Sequence, residues 1–140
     1  METTTANSPY QFTLPGHANA SGSLSFWENS SLFPEGIQRC FWISKVKEGE
    51  TRGNHAHWQE AQVIVAMAGT IELELTNVLG QIFHFKLDSP EKGVFIPPLT
   101  WLVARFSPEA VLMGMSDRVF SEDDYIRDQN YFAELQKRYK

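Results

Sequence analysis

The chain has 140 residues, 42% hydrophobic and 21% charged, with a formal net charge of -5 at neutral pH. That length suits a single domain around one core, and an acidic chain lacks the basic footprint of a general nucleic-acid binder, so an anionic ligand would have to be met by locally placed arginines. No apolar run reaches the ~18 residues of a membrane span, and Met1-Glu2-Thr3-Thr4 does not read as the positive start of a secretion signal, so none is expected. With Cys40 as its one cysteine, the chain excludes an internal disulfide and is expected in a reducing, cytoplasmic compartment.

Residues 1–21, rich in Thr, Asn, Ser and Ala with Pro9 and Pro15, read as an arm preceding a single domain over 22–140. The alternation of Tyr10, Phe12 and Leu14 allows a short edge strand within the arm, and His17 beside Gly16 reads as a loop residue. Gly22 to Glu28 predicts a strand, Asn29 to Gly36 a loop, and Ile37 to Val46 a strand apolar on both faces, with Cys40 as a small buried side chain. A charged turn, Lys47-Glu48-Gly49-Glu50, then leads into Arg52-Gly53-Asn54-His55-Ala56-His57.

In an extended strand His55 and His57, at i and i+2, share a face. Paired imidazoles suit either a metal clip or an acid/base site, and an isolated H-x-H is equally compatible with two surface histidines. Ala61 to Ala68 is a nearly continuous apolar run, as expected of a strand buried on both sides. Ile71, Leu73 and Leu75 alternate with Glu72, Glu74 and Thr76, a half-exposed strand. Leu79-Gly80 marks a turn into Gln81 to Leu87, with Phe83, Phe85 and Leu87 inward and His84 outward. Val94 to Ile96, Trp101 to Phe106 and Val111 to Met115 complete the strands, and together they predict a sandwich or small barrel. From the N-cap Asp128, the recurrence of Phe132, Leu135 and Tyr139 predicts one terminal helix, with Lys137, Arg138 and Lys140 at the negative end of its dipole.

The Gly-x-His-x-His entry, the hairpin at Gly80 and Gly93-Val94-Phe95-Ile96-Pro97-Pro98 resemble the two motifs of a cupin. This implies an all-β jelly-roll (double-stranded β-helix) barrel with the short C-terminal helix. Metal-binding cupins add a glutamate and a third histidine; here Gln62 and Trp101 stand nearest those positions, and Glu60 is expected to face elsewhere. An indole offers no lone pair and a carboxamide is a poor ligand, so no metal and no other cofactor is expected.

From about Gly22 to Phe132 the chain is similar to the WxcM-like sugar 3,4-ketoisomerases, through Arg52 to His57 with Gln62, Lys92 to Pro98 with Trp101, Phe106-Ser107-Pro108, and Asp123-Asp124-Tyr125-Ile126-Arg127-Asp128. The resemblance implies conversion of TDP-4-keto-6-deoxyglucose to its 3-keto isomer on the way to surface glycans. It also implies a homodimer with an exchanged N-terminal strand, and no membrane or nucleic-acid partner. It further implies His57 as the proton shuttle and His55 as a neighbour that polarises or protonates a substrate oxygen. Arg52 and Arg127 are candidates for diphosphate or sugar contact, Asn54 and Gln62 for sugar hydroxyls, and Trp101, Arg39 and Trp42 for the remaining substrate contacts. Where relatives carry adjacent tyrosines after an Arg-x pair, this chain has Phe41-Trp42. A non-catalytic nucleotide-sugar binder and a metal-dependent cupin acting on another small molecule stand as alternatives.

Overall fold

The computed structural model describes residues 8–28 and 31–139. The first seven residues of the expected arm, Asn29 and Ser30 of the expected loop, and Lys140 beyond the helix lie outside the described residues. The strands are β1 (Tyr10–Thr13), β2 (Gly16–Asn19), β3 (Gly22–Ser25), β4 (Arg39–Ile43), β5 (Thr51–His57), β6 (Gln62–Ala68), β7 (Ile71–Asn77), β8 (Ile82–Leu87), β9 (Lys92–Ile96), β10 (Thr100–Phe106), β11 (Val111–Ser116) and β12 (Tyr125–Ile126), followed by helix α1 (Gln129–Tyr139). Two five-stranded antiparallel sheets, β1-β9-β6-β11-β4 and β12-β5-β10-β7-β8, form the expected all-β cupin barrel, and β2 and β3 pair with each other as a hairpin.

Period-2 alternation determines what lies between the sheets. Ile71, Leu73 and Leu75 of β7 meet Ile64 and Ala66 of β6, Val94 and Ile96 of β9, and Leu102 and Ala104 of β10 in one core. The apolar run of β6 has its reason in a second layer. Val63 and Val65 face away from the barrel into a cluster with Leu14, Phe33, Phe95 and Met115, against which Phe12, Trp27, Leu32 and Ile37 pack. The N-terminal segment thus covers the outer face of one sheet. Within it, β1 is the expected edge strand, pairing Tyr10 with Phe95 and Phe12 with Gly93, and His17 lies in β2 rather than in a loop.

The strand expected apolar on both faces is the shorter β4. Its alternation turns Arg39, Phe41 and Ile43 toward the barrel and leaves Cys40 and Trp42 exposed, correcting the expectation of a buried Cys40. Opposite Phe41, Gly114 of β11 is required by space: a Cβ there would lie 2.2 Å from the Phe41 ring. Helix α1 starts as expected, with Asp128 Oδ1 accepting hydrogen bonds from the amides of Asn130 (2.9 Å) and Tyr131 (3.3 Å). Phe132 and Leu135 dock on Ala56, Val78, Trp101 and Ile126, whereas Tyr139, expected on the same face, is exposed.

Candidate active site

A cavity of about 800 Å³ opens between the sheets, lined by β4, the loop after it, β5, β6, β10 and β12. Its first organising feature is a bulge in β5. His55 pairs with Leu102 and Gly53 with Val103, so Asn54 is an extra residue without a partner on β10. Gly53 (φ 91°) and Asn54 (φ 58°) make the turn, and a Cβ on Gly53 would stand 2.9 Å from the Leu102 carbonyl oxygen. The bulge matters because cross-strand partners share a face. Arg52 pairs with Ala104 and His55 with Leu102, two inward residues of β10, so Arg52 and His55 reach the same cavity although three residues apart.

Strand β12 then lays Tyr125 directly across from His57. Three rings cluster there: His55 and His57 lie 5.0 Å apart, His55 and Tyr125 5.0 Å, and His57 and Tyr125 4.2 Å between centroids. His55 and Tyr125 line the cavity, while His57, 7% exposed, lies outside its lining. The His55 Nδ1 is 3.0 Å from the Gly53 carbonyl oxygen. A carbonyl only accepts, so Nδ1 carries the proton and Nε2 presents a lone pair. Burial, then the neighbouring His57 and Arg127, push the His55 pKa down to about 4, so the ring is neutral at physiological pH.

Behind the rings sits a carboxylate pair. The His57 Nδ1 is 3.5 Å from Asp124 Oδ2 and 3.7 Å from Glu60 Oε1, and neither ring nitrogen has a hydrogen-bond partner among the described residues. Burial lowers the His57 pKa, opposed by Glu60 and Asp124. Glu60 Oε2 accepts from Arg39 Nη2 at 2.8 Å and Gln62 Nε2 at 2.6 Å, and Asp124 accepts from the amides of Gln59 (2.9 Å) and Glu60 (3.0 Å). His57, Glu60 and Asp124 bring donor atoms within 4.8 Å of one another, yet three of their four carboxylate oxygens accept these hydrogen bonds, which suits holding an imidazole more than wrapping an ion.

Positive charge gathers at the cavity. Arg39, Lys45, Lys47, Arg52 and Arg127 line it against a single carboxylate, Glu50, in a chain whose net charge is -5. Arg127 stacks on Tyr125 at 4.1 Å and is held by Glu122 through Nε (2.6 Å) and Nη2 (3.0 Å).

Known proteins share this architecture. The family model described as FdtA, WxcM-like, C-terminal, matches residues 9–137. The chain belongs to this family. It is 33% identical over 117 residues to a TDP-4-oxo-6-deoxy-α-D-glucose 3,4-oxoisomerase of Aneurinibacillus thermoaerophilus, covering 81% of this chain and 82% of that one. Among solved structures, a 3,4-ketoisomerase of Helicobacter canadensis superposes with a TM-score of 0.83 at 30% identity, covering 92% of this chain and 97% of that one. QdtA, a sugar 3,4-ketoisomerase of Thermoanaerobacterium thermosaccharolyticum in complex with TDP, gives 0.85 at 26% identity, covering 94% and 96%.

Within this WxcM-like domain the predicted residues divide. The cavity collects Arg39, Arg52, Asn54, His55, Gln62 and Arg127. Trp101 is elsewhere: Leu102 and Ala104 take the inward phase of β10, which turns Trp101 under α1 against Phe132 at 5.5 Å. Trp42, 71% exposed, points away from the barrel on the outward phase of β4. Glu60, expected to face elsewhere, is 2% exposed and faces His57, because the chain leaves β5 at His57 and turns back before β6. Tyr125 and Asp124 were missed as site residues. Their signal was the phase of the terminal motif, in which Tyr125 and Arg127 share one side and the apolar Ile126 takes the other.

Proposed function

We propose that the protein is a nucleotide-sugar 3,4-ketoisomerase that moves the carbonyl of TDP-4-keto-6-deoxyglucose from C4 to C3, in the service of deoxysugar and surface-glycan synthesis. The observation that carries this reading is a neutral, cavity-lining histidine with a free Nε2, set beside a cluster of cations in an acidic chain. A diphosphate supplies the negative charge those cations call for. The C3 proton of a 4-keto sugar, acidified by the adjacent ketone, supplies the work for a base.

Both histidines belong to the machinery, with their roles reversed from the sequence expectation. His55 takes the proton from C3 through Nε2, leaving an enediolate, and returns it to C4. Holding its own Nδ1 proton on Gly53, His55 then carries charge only while it carries the substrate proton. His57, backed by Glu60 and Asp124, fixes the rings and offsets that transient charge. Arg39, Arg52 and Arg127 grip phosphate or sugar oxygens, and Asn54 and Gln62 offer hydrogen bonds to hydroxyls. The chemistry is acid/base transfer among side chains, without a metal. We place the enzyme in the cytoplasm as a homodimer that exchanges its N-terminal strand.

Incubation with TDP-4-keto-6-deoxyglucose in heavy water, followed by NMR, tests this reading. The expected product is a 3-keto isomer with deuterium at C4, less whatever fraction of the carried proton escapes exchange, formed equally well in chelator. Binding of TDP without turnover would overturn the enzyme reading in favour of a binding protein, which the absence of a phenol at Phe41 would then explain.

A further inference from the structure

We propose that Tyr125 is the second catalytic group of this site and carries the oxygen-bound proton while His55 carries the carbon-bound one. The inference rests on the isomerase reading and adds to it a carrier for the reaction's second proton. Moving a carbonyl between neighbouring carbons requires two protons to travel: one from C3 to C4, and one from the hydroxyl on O3 to O4. His55 meets the cavity with a bare Nε2, its only proton committed to Gly53, so it can accept a proton and has none to give at the start. The arginines there stabilise negative oxygen but do not surrender protons. Phe41, the ring that β4 presents to the cavity, has no hydroxyl.

Tyr125 meets each requirement. It lines the cavity with His55, their ring centroids 5.0 Å apart. The ring packs against His57 at 4.2 Å and Phe120 at 5.6 Å, with the Arg127 guanidinium 4.1 Å from its centroid. The phenol also couples to the Arg39 guanidinium: burial pulls the Arg39 pKa down, and Tyr125 and Glu60 more than offset it. A phenolate formed during turnover would therefore have the Arg127 guanidinium over its ring and the Arg39 charge coupled to it, positive charge already in place where negative charge develops.

The steps balance. His55 Nε2 removes the C3 proton; the C–H electron pair becomes the C3=C4 bond, the carbonyl π pair moves to O4, and the Tyr125 hydroxyl gives O4 its proton. The resulting enediol faces an imidazolium and a phenolate. The phenolate then takes the O3 proton, the O3–H pair forms the C3 carbonyl, and the C3=C4 pair collects the proton from His55 at C4. Both side chains end as they began, with no oxidant, reductant or outside acid required.

Tyr125→Phe keeps the ring and its stacking and removes only the hydroxyl. Expected is a fall in kcat of about 10², with KM for TDP-4-keto-6-deoxyglucose within about threefold and TDP affinity by calorimetry unchanged, since a proton carrier acts in the transition state. Active wild type with Tyr125→Phe within a few-fold of its kcat would overturn this inference alone. A loss seen only in KM would also overturn it, by making Tyr125 a binding residue. A wild-type protein that does not turn over the substrate would overturn the isomerase reading, and this inference with it.

Discussion

His55 shows how one backbone contact selects a side chain's chemistry. By accepting the Nδ1–H hydrogen bond, the Gly53 carbonyl leaves His55 an acceptor toward the cavity, and its pKa of about 4 keeps it neutral well into acid. The linkage follows in sign: between pH 6.5 and about 4 the unfolded chain binds a proton at this position that the folded chain refuses, so this group's contribution to stability is present above pH 6.5 and lost as pH falls toward 4. His57, also lowered by burial, adds in the same direction. The wild type should therefore lose more Tm between pH 7.5 and 5 than His55→Asn does; equal losses by calorimetry would contradict a neutral buried His55. In turnover, His55→Asn should lower kcat by about 10² or more, and His57→Asn, which leaves the cavity-facing base in place, should be the milder lesion. Should His57→Asn be dead and His55→Asn active, the assignment drawn from the sequence was right and the geometric one wrong.

At the scale of elements the bulge in β5 is decisive. Gly53→Ala places a side chain on a residue with φ of 91° and a Cβ 2.9 Å from Leu102 oxygen, so a loss of roughly 1–3 kcal/mol is expected together with a displaced His55. Chemical denaturation and kcat read the two separately, and an Ala variant as stable and as active as wild type would mean the strand relaxes without the bulge. The bulge also marks the limit of what could be read in the sequence. Alternation in β7 and β8, the doubly buried β6, the edge strand β1 and the cap at Asp128 were legible because each is a local period or a local hydrogen bond. The union of Arg52 and His55 was less so, because an inserted residue resets the phase. Trp101, Trp42 and Cys40 went the other way, since the choice between two alternating faces depends on which face the opposing sheet covers. Glu60 depended on a turn between strands, and Tyr125 on a pairing with β5 across 68 positions of sequence, which periodicity does not report.

Considered whole, the molecule shows more apolar surface on its N-terminal side than a lone barrel needs. Leu24 (54%), Phe26 (41%) and Met67 (47%) border an apolar groove of about 360 Å³ that also takes in Leu14 and Met113. Edge strand β1 pairs with β9 within the same chain, and a swap between two copies could reproduce that ladder. Deleting residues 1–28 should bare β9 and the cluster of Val63, Val65 and Phe95, leaving an unpaired edge and an uncovered face prone to aggregation. A truncated protein that stays folded and monomeric by light scattering and circular dichroism would count against both the cover and the exchange. The same deletion spares every residue assigned to catalysis, so residual activity in any soluble fraction would show that the arm supports the barrel and not the chemistry.

The pairing of Tyr125 with His57, and the grip of Asp124 on residues 58–60, carry a consequence in time. A chain growing from the ribosome has both histidines well before Asp124, Tyr125 and Arg127, which follow more than sixty residues later. Until then it holds a half-built proton relay: a base with no oxygen partner, and an imidazole with one of its two carboxylates missing. On the proposed mechanism, a product cut short before Asp124 would hold both histidines and lack the second proton carrier, so synthesis through Arg127 is itself a condition for full turnover.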